Sequence, residues 1–300
     1  MSLAIVFALL QIVPLPGDTL SFQRDGVELC AYRYGEGSPY LFPVIGPAGR
    51  YVTRYGHPVD PMGHKHHRSV WIAHSNVAGH DFWSLGEKAG VMRQRRIVRF
   101  EQGANVGGAG QTSATAAPGQ IAGFVAELEW TTGEGQVLVQ ETREVRVTLL
   151  PRDEYVIDLR LDLKPAVEGV SLGKSNYGPL GVRVAETMSV RNGGRVQLAT
   201  GETGEEQCLF KQANWCDYSG PVTPAVQAGR GWNGIAIFDH PSNPHHPPAW
   251  IMRNEGWMGP IPCHEVPVSL PCVFRYRLYI HDGDAQQAKV AQQWGQYAQQ

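Results

Sequence analysis

The chain has 300 residues, a formal net charge of -2 and a pI near 6.6. This balance leaves no basic surface of the kind that nucleic acids require, and Arg93, Arg95 and Arg96 form only a local cluster. No apolar run approaches the roughly 20 residues that a membrane span needs. The composition therefore argues against nucleic-acid binding and against a membrane span, and 42% apolar residues suffice for a large core.

The N-terminal residues 1–17 are considered apart from the rest, because residues 3–13 are almost wholly apolar. No Lys or Arg precedes this run, and the first basic residue is Arg24. A degenerate signal peptide and an apolar first strand both fit the pattern, so cytoplasmic and exported locations stay open. Glycine (35) and proline (21) are frequent and helical periodicity is scarce, so we predict one β-sandwich domain over residues 18–300.

Residues 64–83 hold five of the eleven histidines, together with two tryptophans, an arginine and an aspartate. If this segment is an extended strand, its side chains alternate between two faces. The strand would then place His67 and Trp71 on one face. The opposite face would carry His64, His66, Arg68 and His74.

Two chemical uses of this segment stay open beside an ordinary structural one. Histidines that titrate near neutral pH can transfer protons, for which the candidates are His66, His67 and His74. An HxH pair on a strand can also begin a site for one divalent metal ion, with His64, His66 and His74 as candidate ligands. The same segment offers further candidates for substrate binding: Arg68, Asn76, Asp81 and Trp83.

The elements that follow are mostly strands. Residues 103–120 are rich in small residues and predict a surface loop. Strands are predicted over residues 124–130, 136–149, 155–163, 234–238 and 274–280, several with strict apolar and polar alternation. Short connections between them indicate an antiparallel sheet. One helix is predicted over residues 285–298, where it would cap the sheet.

A second group of polar and aromatic residues lies within residues 214–220 and 238–253. Prolines stiffen this region, and aromatic rings beside Arg, Asn, Asp and His are what a sugar site needs. Asp217 and His240 are candidate catalytic residues. The candidates for substrate binding here are Trp215, Tyr218, Asn243, Trp250 and Arg253.

A third group contains Arg183 and Glu186, after a glycine-containing turn, and Arg54 near the N-terminus. Glu186 is a candidate base, and a structural salt bridge explains these residues equally well. The five cysteines lack CxxC spacing, so neither a disulfide framework nor a thiolate zinc site is indicated.

The motifs GPxGxxVTR, HxHHRSVWxAHxxVxGxDFW, GxR, WxDYxG and DHPxNPxxPxxW follow one another in this order, with Arg253 and Gly256 after the last. In this combination the chain resembles the bacterial PmoA-type family over residues 20–284. One departure is the glycine at position 63, where that family usually has an aspartate before the histidines, although Asp60 is near. A carboxylate at that position would orient a histidine or bind a metal, and this chain has glycine there.

The resemblance implies an all-β fold, a large antiparallel β-supersandwich similar to galactose mutarotase, with a short C-terminal helix. It also implies a small-molecule or oligosaccharide substrate. Our leading hypothesis is a carbohydrate-active enzyme of the epimerase, lyase or hydrolase type that uses histidine acid–base chemistry. Two alternatives remain: a metal-dependent enzyme such as a copper, iron or zinc oxygenase, and a non-catalytic carbohydrate-binding module.

Overall fold

The computed structural model describes residues 9–35, 37–56, 64–102, 120–222, 231–261, 264–268 and 272–300. In chain order the strands are β1 (Leu10–Leu15), β2 (Thr19–Arg24), β3 (Val27–Arg33), β4 (Tyr40–Val44), β5 (Val70–Ile72), β6 (Val91–Gln102), β7 (Ile121–Thr131), β8 (Val137–Leu149), β9 (Tyr155–Pro165), β10 (Ser171–Leu172), β11 (Leu180–Arg183), β12 (Arg195–Leu198), β13 (Trp215–Pro221), β14 (Trp232–Asp239), β15 (Ala249–Arg253), β16 (Trp257–Ile261), β17 (Val266–Pro267) and β18 (Cys272–Asp282). The helices are α1 (Gly204–Cys208) and α2 (Val290–Tyr297), with 3-10 turns at Pro151–Asp153, Glu186–Met188 and Val190–Asn192.

The strands form two large antiparallel sheets. The first sheet has the order β1-β2-β3-β4-β5-β11-β16-β15, and the second has β12-β13-β14-β18-β9-β8-β7-β6. The predicted all-β fold, a large antiparallel sandwich with a short C-terminal helix, is confirmed. The helix begins later than predicted, at Val290, because Lys289 adopts a left-handed conformation (φ 55°) that no helix can continue through.

The two sheets pack against each other through their inner faces. The ring centroids of Tyr32 in the first sheet and Phe124 in the second lie 4.8 Å apart. The Tyr155 hydroxyl of β9 lies 3.0 Å from the carbonyl oxygen of Leu29 and 2.9 Å from that of Ile45. Alternating burial along β9 and β18 matches the predicted pattern, since one side of each strand faces this core.

The C-terminal segment covers the part of the second sheet's outer face that β13, β14 and β18 form. Trp215, Phe238 and Tyr279 pack there against Val290 and Tyr297 of α2, so the end of β18 is buried on both sides. On the first sheet, Val70, Val182 and Met258 pair across β5, β11 and β16 and face the core. Their neighbours along each strand therefore project from the outer face.

The N-terminal apolar run enters the sandwich. Leu10–Leu15 pairs with β2, and Leu10 and Ile12 are buried in the core. Residues 1–8, residues 103–119 of the loop predicted over 103–120, and Cys263 lie outside the described residues. The other cysteines, Cys30, Cys208, Cys216 and Cys272, are free and buried. Within the described ranges, no helix has both the length and the apolar character to cross a membrane.

Candidate functional site

The histidine segment is a turn rather than an extended strand, so the predicted separation of His67 from His64 and His66 is wrong, while His67 and Trp71 do lie together as predicted. The amide of His67 donates to the carbonyl of His64 (2.8 Å). His64 and Ser69 have positive φ values of 52° and 65°, and the strand β5 begins only at Val70. Because left-handed residues break the two-residue period, all three histidines of the turn lie together. The ring centroids are 4.4 Å apart for His66 and His67 and 4.8 Å apart for His64 and His67.

Tryptophans surround these histidines on the outer face of the first sheet. The His67 ring stacks on Trp71 (4.9 Å between centroids) and on Trp257 (5.5 Å). Trp83 lies within 6.0 Å of both His66 and His67, and Tyr177 lies 5.3 Å from Trp83. We call this set, His64, His66, His67, Trp71, Trp83, Tyr177 and Trp257, the aromatic cluster.

Two glycines make room for the aromatic cluster. Gly181 of β11 pairs with Trp71, and a Cβ at this position would lie 2.5 Å from the indole ring. Gly178 has φ +117°, and a Cβ there would lie 2.3 Å from the carbonyl oxygen of Ala73. A side chain at position 181 would displace Trp71 directly. A side chain at position 178 would displace the backbone there and with it Tyr177, which directly precedes Gly178.

Arginines and carboxylates form a pocket beside the aromatic cluster. Arg183 pairs across the sheet with Trp257, and its side chain is only 2% exposed. Arg54 binds the Glu186 carboxylate and donates to the carbonyl of Glu255 (3.1 Å). These residues, with His64, Ser189 and Arg191, line a pocket of about 200 Å³. Burial, followed by the charge of Arg54, lowers the pKa of Arg183 to about 10, so Arg183 is still charged at pH 7.

Several buried nitrogens of this region have no hydrogen-bond partner among the residues that the structure describes. They are Nε and Nη1 of Arg183, Nε1 of Trp71, Nε1 of Trp257 and Nδ1 of His67. Buried polar groups are normally bonded, so a concentration of unbonded ones indicates where a ligand or water binds. Because the arginine and tryptophan nitrogens only donate, the ligand should supply acceptor oxygens.

The histidines of the cluster differ in exposure. Burial, followed by the charge of His66, lowers the pKa of His67 to about 2, so its ring is neutral at pH 7. His66 is partly exposed, and burial followed by the neighbouring His64 also lowers its pKa. His66 lines a second pocket of about 80 Å³ with Arg68, Trp71 and Trp83. It is therefore the histidine of this pair that a substrate can reach.

Four predicted residues near the turn make structural contacts. His74 is fully buried, and its Nδ1 accepts the amide of Asn76 (3.1 Å). The Asn76 side chain accepts the amide of Gly79, and Asp81 accepts the amides of Trp83 and Ser84. Asp81 still lies close enough to raise the pKa of His66. Arg68 donates to the carbonyl of Ser38 and lies over the Tyr40 ring.

The predicted convergence of the second group with the histidine turn is not found. Trp215 and Asp217 project from the second sheet, where Trp215 packs in the cluster beneath α2 and Asp217 pairs with buried His281 (2.7 Å). His240 contacts Tyr297 of α2, and Asn243 bonds Asp239 and the backbone of Arg275. The alternation of β13 assigns Trp215 and Asp217 to the face that α2 covers, away from the first sheet.

Of the remaining members of that group, Tyr218 and Arg253 support the turn that precedes Trp257, and Trp250 packs in the core. The Tyr218 hydroxyl lies 3.2 Å from the carbonyl oxygens of both Arg253 and Asn254. Arg253 pairs with Trp257 across the β15–β16 hairpin, and its side chain donates to Glu205. Trp250 lies in the core with its indole N–H bonded to Ala213 (2.7 Å), where no ligand ring can stack on it.

The sequence predicts His64 and His66 as metal ligands with His74 as one candidate third ligand, and His74 lies fully buried with its Nδ1 bonded to the amide of Asn76. Over the described ranges, no three His, Cys, Asp or Glu residues have an arrangement that could hold a metal ion. Gly63, where the chain departs from the PmoA-type motif, and the nearby Asp60 lie outside those ranges. Metal binding therefore stays a prediction from the sequence.

Sequence reasoning missed Tyr177, Glu255 and Trp257. Glu255 lies 3.8 Å from Arg183 and 3.7 Å from Arg191. A signal existed for Trp257, because a polar segment ending in Gly256 (φ +95°) separates two apolar runs and indicates a hairpin. In such a hairpin Trp257 lies opposite Arg253.

Fold and site together define the class: a protein with two packed antiparallel sheets, one of which carries a face lined by tryptophan, histidine and arginine. The chain belongs to DUF6807, a family of unknown function, which matches residues 19–295. No curated protein matches the sequence. One matching solved structure is named "Putative kojibiose phosphorylase from human microbiome", with 6% identity and a TM-score of 0.32. The match covers 59% of this chain and 21% of that one, and at this TM-score it supports no conclusion about fold or activity.

Proposed function

We propose that this chain is a carbohydrate-active enzyme whose sugar binds on the aromatic cluster, with His66 as the proton-transferring group. The observation that carries the proposal is the set of unbonded buried donors of Trp71, Arg183 and Trp257 among aromatic rings. Sugars present apolar ring faces to aromatics and many oxygens to donors, so they match both features.

The roles follow from exposure and pKa. His66 reaches a pocket, and its lowered pKa leaves it neutral at pH 7, so it accepts a proton from a carbon or hydroxyl of the sugar. His67, with a pKa of about 2, stays neutral and orients the ligand by hydrogen bonding. Trp83 and Tyr177 supply ring surface, and Arg183 donates to oxygens. The kind of step, epimerisation, elimination or hydrolysis, stays open, as does the resemblance to the PmoA-type family.

The test combines binding and turnover. A panel of monosaccharides and oligosaccharides is screened by thermal shift, and the binders are followed by proton NMR in D2O for isotope exchange, new anomers or cleavage. We expect a product with the wild-type chain and at least a hundred-fold loss of rate in His66→Gln, which keeps a polar side chain but cannot take up a proton.

His80→Gln is the control, because His80 lies outside the aromatic cluster. Unchanged turnover in His66→Gln would contradict the assignment of His66. Tight sugar binding without product in any assay would favour a carbohydrate-binding module. Stoichiometric metal in the purified protein, lost in His66→Gln, would favour the metal-dependent alternative.

A further inference from the structure

The buried, charged side chain of Arg183 calls for a negatively charged partner, which a neutral sugar does not supply. The Arg183 side chain is 2% exposed, and β11 is paired on both sides, so the residue is held in place. Its Nε and Nη1 have no bonded partner within the described part of the chain. A buried guanidinium without bonded oxygens is costly, and among the described residues the nearest carboxylate, that of Glu255, is 3.8 Å away.

The charges around the pocket leave room for one negative charge. Three arginines line it, namely Arg54, Arg183 and Arg191, and two carboxylates oppose them, Glu186 and Glu255. Glu186 is bonded to Arg54, and Glu255 lies 3.7 Å from Arg191. Over the described residues that line the pocket, the formal sum is one positive charge, which a monoanion neutralises and a dianion such as phosphate exceeds.

The position of the pocket relates it to the aromatic cluster. His64 lines the pocket and stacks on His67, while Trp257 pairs with Arg183 on the neighbouring strand. A sugar ring on the cluster therefore has its edge beside Arg183. Carboxylates bind guanidinium groups through short charge-assisted hydrogen bonds.

We propose that the substrate is an acidic sugar, a uronic acid or a chain that contains one, and that Arg183 binds its carboxylate. This inference rests on the proposed function and specifies the substrate class for the same site. It makes Arg183 the residue that determines specificity.

The experiment measures dissociation constants by calorimetry for D-glucuronate and D-galacturonate against the neutral D-glucose and D-galactose, with inorganic sulfate as a simple anion. We expect the wild-type chain to bind at least one acid ten-fold or more tightly than its neutral partner. Arg183→Met, which keeps the length and apolar stem of the side chain, should lose that preference. Arg96→Met is the control. Arg96 lies on β6 of the other sheet, is exposed and pairs with Glu127 of β7.

A second variant keeps the proposal testable if Arg183→Met does not fold. Glu255→Gln removes the carboxylate that competes for Arg183, so it should tighten uronate binding several-fold and leave neutral sugars unchanged. Equal binding of acids and neutral sugars by the wild-type chain would overturn this inference and leave the proposed function standing. Sulfate binding as tight as uronate binding would overturn the sugar acid in favour of a simple anion site. Binding of no sugar would contradict both proposals.

Discussion

Burial decides what each histidine of this chain can do. His67 is enclosed by two indoles and has a pKa of about 2, and His74 is fully buried with a pKa of about 4. Both rings are neutral at pH 7 because charging them would require solvation that the core does not provide. His66 combines a ring in the aromatic cluster with access to the pocket that Trp71 and Trp83 also line, and proton transfer is therefore assigned to it.

The buried histidines make stability depend on pH in a defined direction. The folded pKa of His74 lies below the unfolded value of 6.5, so its contribution is complete above pH 6.5 and is lost as the pH falls towards about 4. Between pH 7 and pH 5 this group should cost up to about 2 kcal/mol of unfolding free energy. His74→Asn keeps an acceptor for the amide of Asn76 but cannot be charged, so we expect a smaller loss over that interval.

Urea unfolding at pH 7 and pH 5 measures this difference, with His264→Asn at an exposed histidine as the control. The control should follow the wild-type chain. A pH dependence of His74→Asn equal to that of the wild type would show that His74 is not the source.

At the scale of elements, the site depends on the junction between β5 and β11. Gly178 lies where the backbone before β11 passes close to Ala73, and it positions Tyr177 against Trp83. Alanine at this position meets the carbonyl of Ala73 as well as the strain of a positive φ.

We expect Gly178→Ala to lower the melting temperature more than Gly193→Ala and to weaken sugar binding. Gly193 also has a positive φ (+89°), but a Cβ there meets nothing within 4 Å, so it isolates backbone strain, which costs about 1–2 kcal/mol. Equal melting temperatures for the two variants would contradict the close contact at Gly178. Differential scanning calorimetry provides the comparison.

The elements that the sequence predicted best are those with a local signal. Strands β9 and β18 alternate between apolar and polar residues over 157–163 and 274–278, so this pattern alone is sufficient to predict them. Strand β5 has three residues after a turn with left-handed positions, so alternation carried through that turn wrongly separates His66 from His67.

The convergence of the site had no local signal at all. Trp257 reaches His67 because the sheet order runs β5-β11-β16, and nothing within either segment encodes that order. The residue types were also ambiguous. Trp215 and His240 have the composition of a sugar site, yet they pack beneath α2, because aromatics serve a core and a ligand platform equally well.

At the scale of the molecule, the two sheets differ in what covers their outer faces. The second sheet buries Trp215, Phe238 and Tyr279 against α2, so the part of its outer face over β13, β14 and β18 is occupied by the chain itself. The first sheet instead carries the aromatic cluster and the Arg183 pocket, with unbonded donors in both. We therefore assign the ligand-binding site to the outer face of the first sheet.

A crystal structure of the chain soaked with the sugar that gives the largest thermal shift tests this assignment most directly. The account predicts a ring stacked on the aromatic cluster, with an oxygen within hydrogen-bond distance of Arg183 and a sugar carbon or hydroxyl facing His66. A sugar bound instead beside Trp215 and His240 on the second sheet would contradict it.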